Sequence, residues 1–403
     1  MINIRKHFPI FDSRPGLVYL DSGATALKPA SVIDAVSGYY RDLSANVGRG
    51  LYATAEETIA RFEAVREQTA RFLNVRADEI VFTRSTTEGI NLLAYILEDH
   101  IKAGDNIVVT ALEHHSNFLP WKQLAKRCGA ELRIVPFEED GSIRPDTARS
   151  FIDSRTKVFA FSAISNVFGT PNDVSDIVQA TKALNTDILT IVDAAQAAGH
   201  FRIDVSDWDC DFLAFSGHKM FGPTGVGVLY GKSTLLAALP PYQVGGGMVL
   251  DSMADDPTYM DAPHRFEAGT PDIAAVIGLG TAIDFVDHIG IDSIHEYEAG
   301  LATLAVSALD KTFGDSIHIF GLKDRRNSGI ISFTLEGIHP HDIAQVLGEH
   351  DICIRAGEHC ATPLHRALSL PATARASFSV YNTEADIDRL IEGLKEVRAL
   401  FKS

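Results

Sequence analysis

The chain has 403 residues, 46% of them hydrophobic, enough to bury the cores of roughly two domains at about 100–200 residues each. With 36 Lys and Arg against 53 Asp and Glu, its net charge of −17 argues against nucleic acid or an anionic membrane surface as a partner of the whole molecule. Neither a signal-peptide stretch nor an uninterrupted apolar run of ~18 residues is present, so a cytoplasmic location is expected. The four cysteines, Cys128, Cys210, Cys353 and Cys360, make no disulfide framework and no CxxC metal pair.

From Val18-Tyr-Leu20 the chain enters a turn-rich loop, Asp21-Ser-Gly-Ala-Thr-Ala-Leu-Lys-Pro29, and a helix is expected from about Ala30. Asn46-Val-Gly-Arg-Gly50 reads as a flexible loop, with Arg49 either a solvated charge or a contact to an anion or partner subunit. A helix is predicted over 55–72, carrying Glu57/Arg61 and Glu67/Arg71 at i,i+4 spacing. Glu79-Ile-Val-Phe-Thr83 reads as a strand, and the next helix opens at Arg84-Ser-Thr-Thr-Glu-Gly. There Thr86 and Thr87 are either phosphate ligands at a helix N-terminus or ordinary caps.

Further strands are expected at 106–110, 132–136, 157–162, 188–192 and 211–215, alternating with helices. That alternation predicts a mainly parallel sheet whose ligands collect outside the carboxyl ends of the strands. Thr86, His114, Asn166, Asp193 and Lys219 all fall on that rim. His114 and His115 lack the partners of a metal site, which favours ring stacking for His114, and no metal is expected. Ser216-Gly-His-Lys219 ends one strand and Asp193-Ala-Ala-Gln196 ends another. Flanking apolar strands desolvate such a lysine and favour its free amine. A reactive lysine with an acidic partner is what pyridoxal 5'-phosphate (PLP) needs for its aldehyde and its pyridinium nitrogen.

Beyond Tyr230 a long irregular connection is expected to reach His264, followed by a helix starting at Thr270-Pro271 and a second from about Ile291 to Leu309. Strand, helix and strand are predicted at 328–335, 340–349 and 352–355. The division expected is a large α/β domain over 17–264 and a smaller α+β domain over 265–403, with the arm 1–16 packed on the latter. Cys360 follows the last of these strands beside Arg355 and His359. Cationic neighbours would make it a nucleophilic thiolate, whereas the bland alternative is a buried structural cysteine, a role that suits Cys353 better. Arg375, at a strand start, suits bidentate binding of a carboxylate or a surface ion pair.

Taken together, Asp21-Ser-Gly-Ala-Thr, Thr86-Thr-Glu-Gly, Glu113-His-His, Ser165-Asn-Val, Asp193-Ala-Ala-Gln, Ser216-Gly-His-Lys, Arg265-Phe-Glu-Ala-Gly-Thr, Arg355-Ala-Gly-Glu-His-Cys-Ala and Arg375-Ala-Ser resemble the class V, fold-type I PLP-dependent enzymes. Within these the chain is similar to the SUF-type (group II) cysteine desulfurases and selenocysteine lyases, over nearly its whole length. Two departures are Gly48, where the family has histidine, and Glu358 before His359, which is expected to raise the pKa of the neighbouring thiol.

The resemblance implies that Lys219 carries PLP, Asp193 keeps the ring nitrogen protonated, His114 stacks on the ring and Gln196 meets its phenolic oxygen. It also implies Thr87, Ser216 and His218 as phosphate ligands, with Thr86 beside them and Thr270 reaching across from the partner of a homodimer. Arg375, with Asn166 and Arg355, would bind L-cysteine. Cys360 would take the sulfur as a persulfide and pass it to an acceptor protein, for iron–sulfur cluster assembly or another transfer. A selenocysteine lyase side activity is expected. The rivals are a class V aminotransferase or a lyase for another amino acid, which has no use for Cys360, and a non-catalytic scaffold, which has no need of Lys219, Asp193 or Arg375.

Overall fold

The computed structural model describes residues 4–48, 50–253, 255–324 and 326–401, so the choice between a solvated charge and a contact for Arg49 lies outside the described residues. Seven strands form one sheet in the order Ile80–Thr83, Gly227–Gly231, Phe212–Ser216, Leu189–Asp193, Thr156–Ser162, Asn106–Thr110, Glu131–Val135. The last five are mutually parallel, and only Gly227–Gly231 runs against its neighbours. Strands buried on both faces read as continuous apolar runs, which is how Asn106–Thr110 reads in the sequence. Alternate residues nevertheless choose faces. Ile107, Val109, Val158 and Ala160 join Ile90, Leu93, Trp121 and Leu124 of two helices on one side. Val108, Phe159 and Phe161 join Phe62, Ile177 and Leu279 on the other.

The helix Ala53–Leu73 buries Ala55, Thr58, Phe62, Val65, Thr69 and Leu73 at helical spacing, and ends at Asn74 in the left-handed conformation. Glu57 and Arg61 pair along it at 2.6 Å. Against it and Ala30–Gly38 packs Ile273–Ile289, which buries Ile273, Val276, Leu279, Ile283 and Val286 on one face. Among the described residues no single helix is long and apolar enough to cross a membrane.

A second, antiparallel sheet has the order Ile317–Phe320, Ile330–Leu335, Thr373–Ser377, Arg355–Gly357. It is covered by Leu301, Leu309, Leu347, Leu390 and Leu394 from three helices. The segment Val18–Tyr19 pairs in parallel with Ile352–Cys353. Arg5 bonds Asp386 and the Tyr381 carbonyl, both at 3.0 Å, while Phe8 packs on Phe221, Phe285 and Tyr381.

Several expectations need correction. The helix after the long connection starts not at Thr270-Pro271 but at Asp272, whose carboxylate accepts from the Ala275 N–H at 3.0 Å. An aspartate so placed is the better cap, and proline donates nothing. The connection itself is not wholly irregular, because Val249–Asp251 pairs with Thr258–Tyr259. The strand expected over 352–355 is two strands serving different partners, Ile352–Cys353 and Arg355–Gly357. Cys353 is only half-buried. The strand Ile317–Phe320 and the helix Glu384–Phe401 were not anticipated.

Gly227 holds the sheet against the turn that opens the Thr86 helix. A Cβ there would lie 2.6 Å from Ser85 Cα, a backbone atom that cannot swing aside. Gly227→Ala should therefore destabilise the protein by about 1–3 kcal/mol, the usual cost of overpacking. A denaturant midpoint equal to that of the parent would contradict this packing argument.

Candidate active site

The carboxyl ends of three parallel strands supply Ser162, Asp193 and Ser216, and the next turn supplies Lys219. All four line one cavity, together with Thr86, Thr87, His114, Asn166, Gln196, His218, Arg355 and Arg375. The peptide unit before Lys219 is pinned by the Asp21–Pro29 loop, since the His218 carbonyl accepts from Ala26 N at 3.0 Å, Thr25 Oγ1 at 3.2 Å and Lys28 Nζ at 3.0 Å.

Among the described residues the Lys219 amine has no hydrogen-bond partner. Burial, with help from Arg375 and Arg355, pulls it down to about 8 against the opposing pull of Asp193 and Cys360. Asp193 is buried and accepts one bond, from Ala195 N at 2.9 Å, leaving its other oxygen free toward the cavity. Burial raises its pKa, while the Ala195 N–H and Lys219 oppose the rise. His114 caps the helix His115–Cys128 through Nδ1, which accepts from Ser116 N at 3.1 Å. Burial and then Lys219 drive its pKa down to about 3, so the ring is neutral at pH 7. Gln196 is anchored by donating to the Gly23 carbonyl at 2.9 Å.

One end of the cavity is an array of hydroxyls at a helix N-terminus. Ser216 Oγ accepts from Thr86 N at 2.8 Å and meets Thr86 Oγ1 at 2.8 Å, and Thr87 Oγ1 meets Ser116 Oγ at 2.7 Å. Backbone N–H groups and hydroxyls at such a terminus suit an anion. His218 beside them is held neutral, its pKa lowered to about 4 by burial, Lys219 and Lys28. Thr270 is not part of this cavity; its hydroxyl accepts from Asn46 Nδ2 at 3.4 Å on a separate surface groove.

The other end is cationic. Arg375 is 1% exposed and donates to the Asn166 carbonyl at 2.8 Å and to Asp21 at 3.2 Å, and its Nε is buried without a partner. The surface ion pair considered for it is therefore replaced by a buried one. Burial lowers its pKa, Asp21 raises it and Arg355 lowers it further. The Asn166 side chain turns to the next loop and donates to the His359 carbonyl at 2.8 Å. Cys360 sits at the rim rather than on the cavity wall, 3.9 Å from an Arg355 nitrogen. Glu358 accepts from Thr362 Oγ1 at 2.8 Å, and Thr362 in turn meets His115 Nε2 at 2.9 Å.

Three participants were missed in the sequence. Ser116 joins Thr87 to His114, Asp21 pairs with Arg375, and Glu113 lies buried beneath the site. Glu113 accepts from Thr110, Asn117 and both donors of Ser162, and burial raises its pKa to about 7. The Glu113-His-His and Asp21-Ser-Gly runs carried the signal for two of them, whereas an isolated serine in a helix carries none. All four cysteines are free, and no group of metal-binding side chains occurs among the described residues.

An unbonded amine and a carboxylate with one oxygen unbonded, both facing one cavity, with a neutral imidazole and a helix end that suits an anion, together fit PLP. The model of the aminotransferase class-V family matches residues 18–390. A cysteine desulfurase of Cronobacter sakazakii is 43% identical over 98% of both chains. Among solved structures, an apo cysteine desulfurase from Thermococcus onnurineus superposes with a TM-score of 0.93 at 35% identity, over 99% of this chain and 97% of that one. A cysteine desulfurase from Escherichia coli, solved as its S-sulfonic acid, gives 0.91 at 38% identity over 98% of each.

If the amine is held near pH 8 by burial, the cofactor-free protein should capture an aldehyde at Lys219 with a rate that climbs through about pH 8 and then levels off. A surface lysine would keep gaining up to about pH 10. Stopped-flow absorbance against pH distinguishes the two, and a steady climb to the higher pH would refute the desolvated amine.

Proposed function

The chain belongs to the class-V aminotransferase family and acts as a PLP-dependent cysteine desulfurase; on that premise we propose the parts its residues play, with Cys360 as the sulfur acceptor. When bound, PLP supplies an electron sink for the carbanion at the substrate Cα. Lys219 would hold the cofactor's aldehyde, Asp193 its ring nitrogen and Gln196 its phenolic oxygen. Thr86, Thr87, Ser216 and His218 would hold its phosphate, and the neutral His114 would lie on the ring. Arg375, helped by Arg355 and Asn166, would bind the carboxylate of L-cysteine. Freed by substrate, the Lys219 amine would take the Cα proton and return it to carbon, for which an amine near pH 8 is well matched. The Cys360 thiolate would attack the substrate sulfur, forming the S–S bond of a persulfide as the carbon–sulfur bond breaks. The carbon skeleton leaves as alanine.

The observation that carries this reading is a buried amine and a carboxylate with one oxygen unbonded on one cavity, with a cysteine at its rim beside an arginine. A homodimer belongs to the same proposal. It is supported by Thr270 standing outside its own chain's cavity, and by Leu51 and Met253, 93% and 91% exposed. So do the division at residue 264, supported by two separate sheets, a cytoplasmic location, an acceptor protein serving iron–sulfur assembly or another transfer, and a side activity on selenocysteine.

Cys360→Ala should still bind PLP and keep its colour, yet release no sulfide or alanine from L-cysteine and lose the persulfide seen by mass spectrometry. Release of alanine at the parent rate, or a persulfide on another cysteine, would defeat the assignment. Arg375→Ala should weaken L-cysteine binding by about 2–5 kcal/mol, the range for truncating a buried charge pair. A KM unchanged from that of the parent would remove Arg375 from substrate binding.

A further inference from the structure

The two larger sheets are linked by a buried imidazole that the reaction above does not use. His200 is 7% exposed; its Nδ1 lies 2.7 Å from Glu298 Oε2, and its Nε2 lies 3.3 Å from the main-chain oxygen of Lys219. Glu298 is 1% exposed on the helix Ile291–Phe313, and its other oxygen accepts from Ser379 Oγ at 3.0 Å. Ser379 follows the strand Thr373–Ser377, which carries Arg375. One chain of bonds thus runs from the Lys219 backbone through His200 and Glu298 to the segment that positions the arginine.

Carbonyl and carboxylate oxygens only accept hydrogen bonds, so His200 satisfies both neighbours only with a hydrogen on each ring nitrogen, as an imidazolium. Burial opposes that charge, but the Glu298 carboxylate, by its charge and its hydrogen bond, outweighs burial and the repulsion of Lys219, so the pKa of His200 is raised. His295, whose own pKa is lowered by burial, also faces it. A raised pKa means that the pair's contribution is complete at low pH and is lost as pH rises through the folded-state value. The carbonyl before Lys219 is already pinned by Ala26, Thr25 and Lys28, so His200 fixes the second of the two peptide units that aim the side chain.

We propose that His200 and Glu298 form a positioning pair for the desulfurase reaction, holding the Lys219 backbone in register with the strand that carries Arg375. This rests on the roles given above to Lys219 and Arg375. The test is steady-state kinetics of the PLP-loaded enzyme between about pH 6 and 10. His200→Asn should lower kcat roughly 10–100-fold, the cost of a small misplacement of a catalytic group, with KM for L-cysteine little changed. Glu298→Gln, which removes the charge that keeps His200 protonated, should move the alkaline limb of kcat to lower pH. A general loss of stability would lower cofactor loading and melting temperature without moving that limb. An unchanged kcat in His200→Asn, or an unmoved limb in Glu298→Gln, overturns the proposal. If neither variant folds, a nitrogen-15 NMR pH titration of the unmutated holoenzyme should show one histidine that keeps a proton on both ring nitrogens above the pH at which the exposed histidines lose theirs, and finding none overturns it equally. Borohydride trapping separates the two readings. A label on a lysine other than Lys219 defeats the function on which the pair depends, whereas a label on Lys219 with unchanged kinetics defeats the pair alone.

Discussion

A guanidinium taken out of water must be met by acceptors, and Arg375 draws three distant stretches of chain together to meet that need. Asn166 supplies a carbonyl from the loop after one strand of the large sheet, Asp21 a carboxylate from the N-terminal loop, and Thr373–Ser377 of the second sheet carries the arginine itself. Gly23 completes the enclosure, because a side chain there would begin 3.3 Å from the guanidinium carbon. The cavity lies where these stretches meet. It exists as a single site only because both sheets and the N-terminal segment contribute to burying one charge.

The same withdrawal of water sets the chemistry of the neighbouring groups. It pushes Lys219 and His114 toward their neutral forms and raises Asp193 and Glu113. A molecule with a net charge of −17 nevertheless keeps a cationic recess beside Arg355 and Arg375 that suits a small anion. The overall charge excludes large polyanions without excluding small anions from this pocket.

The loop at the rim stores backbone strain. Gly357, His359 and Cys360 have φ of 123°, 51° and 57°, a left-handed region that costs side-chain-bearing residues energy. The loop is held there from outside, by Asn166 Nδ2 on the His359 carbonyl at 2.8 Å and by His115 N on the Cys360 carbonyl at 2.7 Å. Those donors come from the large sheet's rim, so the cysteine's position is tied to the elements that carry His114 and Asn166.

The sequence by itself determined the mainly parallel sheet, because buried strands must be apolar throughout and crossover helices must show a 3.6-residue period. It also placed Asp193, Ser216 and Lys219 at strand ends, because they close or follow apolar runs too short to be anything but strands. The tertiary structure alone decided which polar groups find each other. Asp21 with Arg375, Ser116 between Thr87 and His114, and Glu113 under Ser162 are contacts between residues far apart in the chain or hidden among ordinary caps. Local pattern records the period of an element but not what its polar side chains meet. The splitting of 352–355 into two strands has the same origin, since its two ends pair with Val18–Tyr19 and Thr373–Ser377, partners that only the folded chain brings alongside.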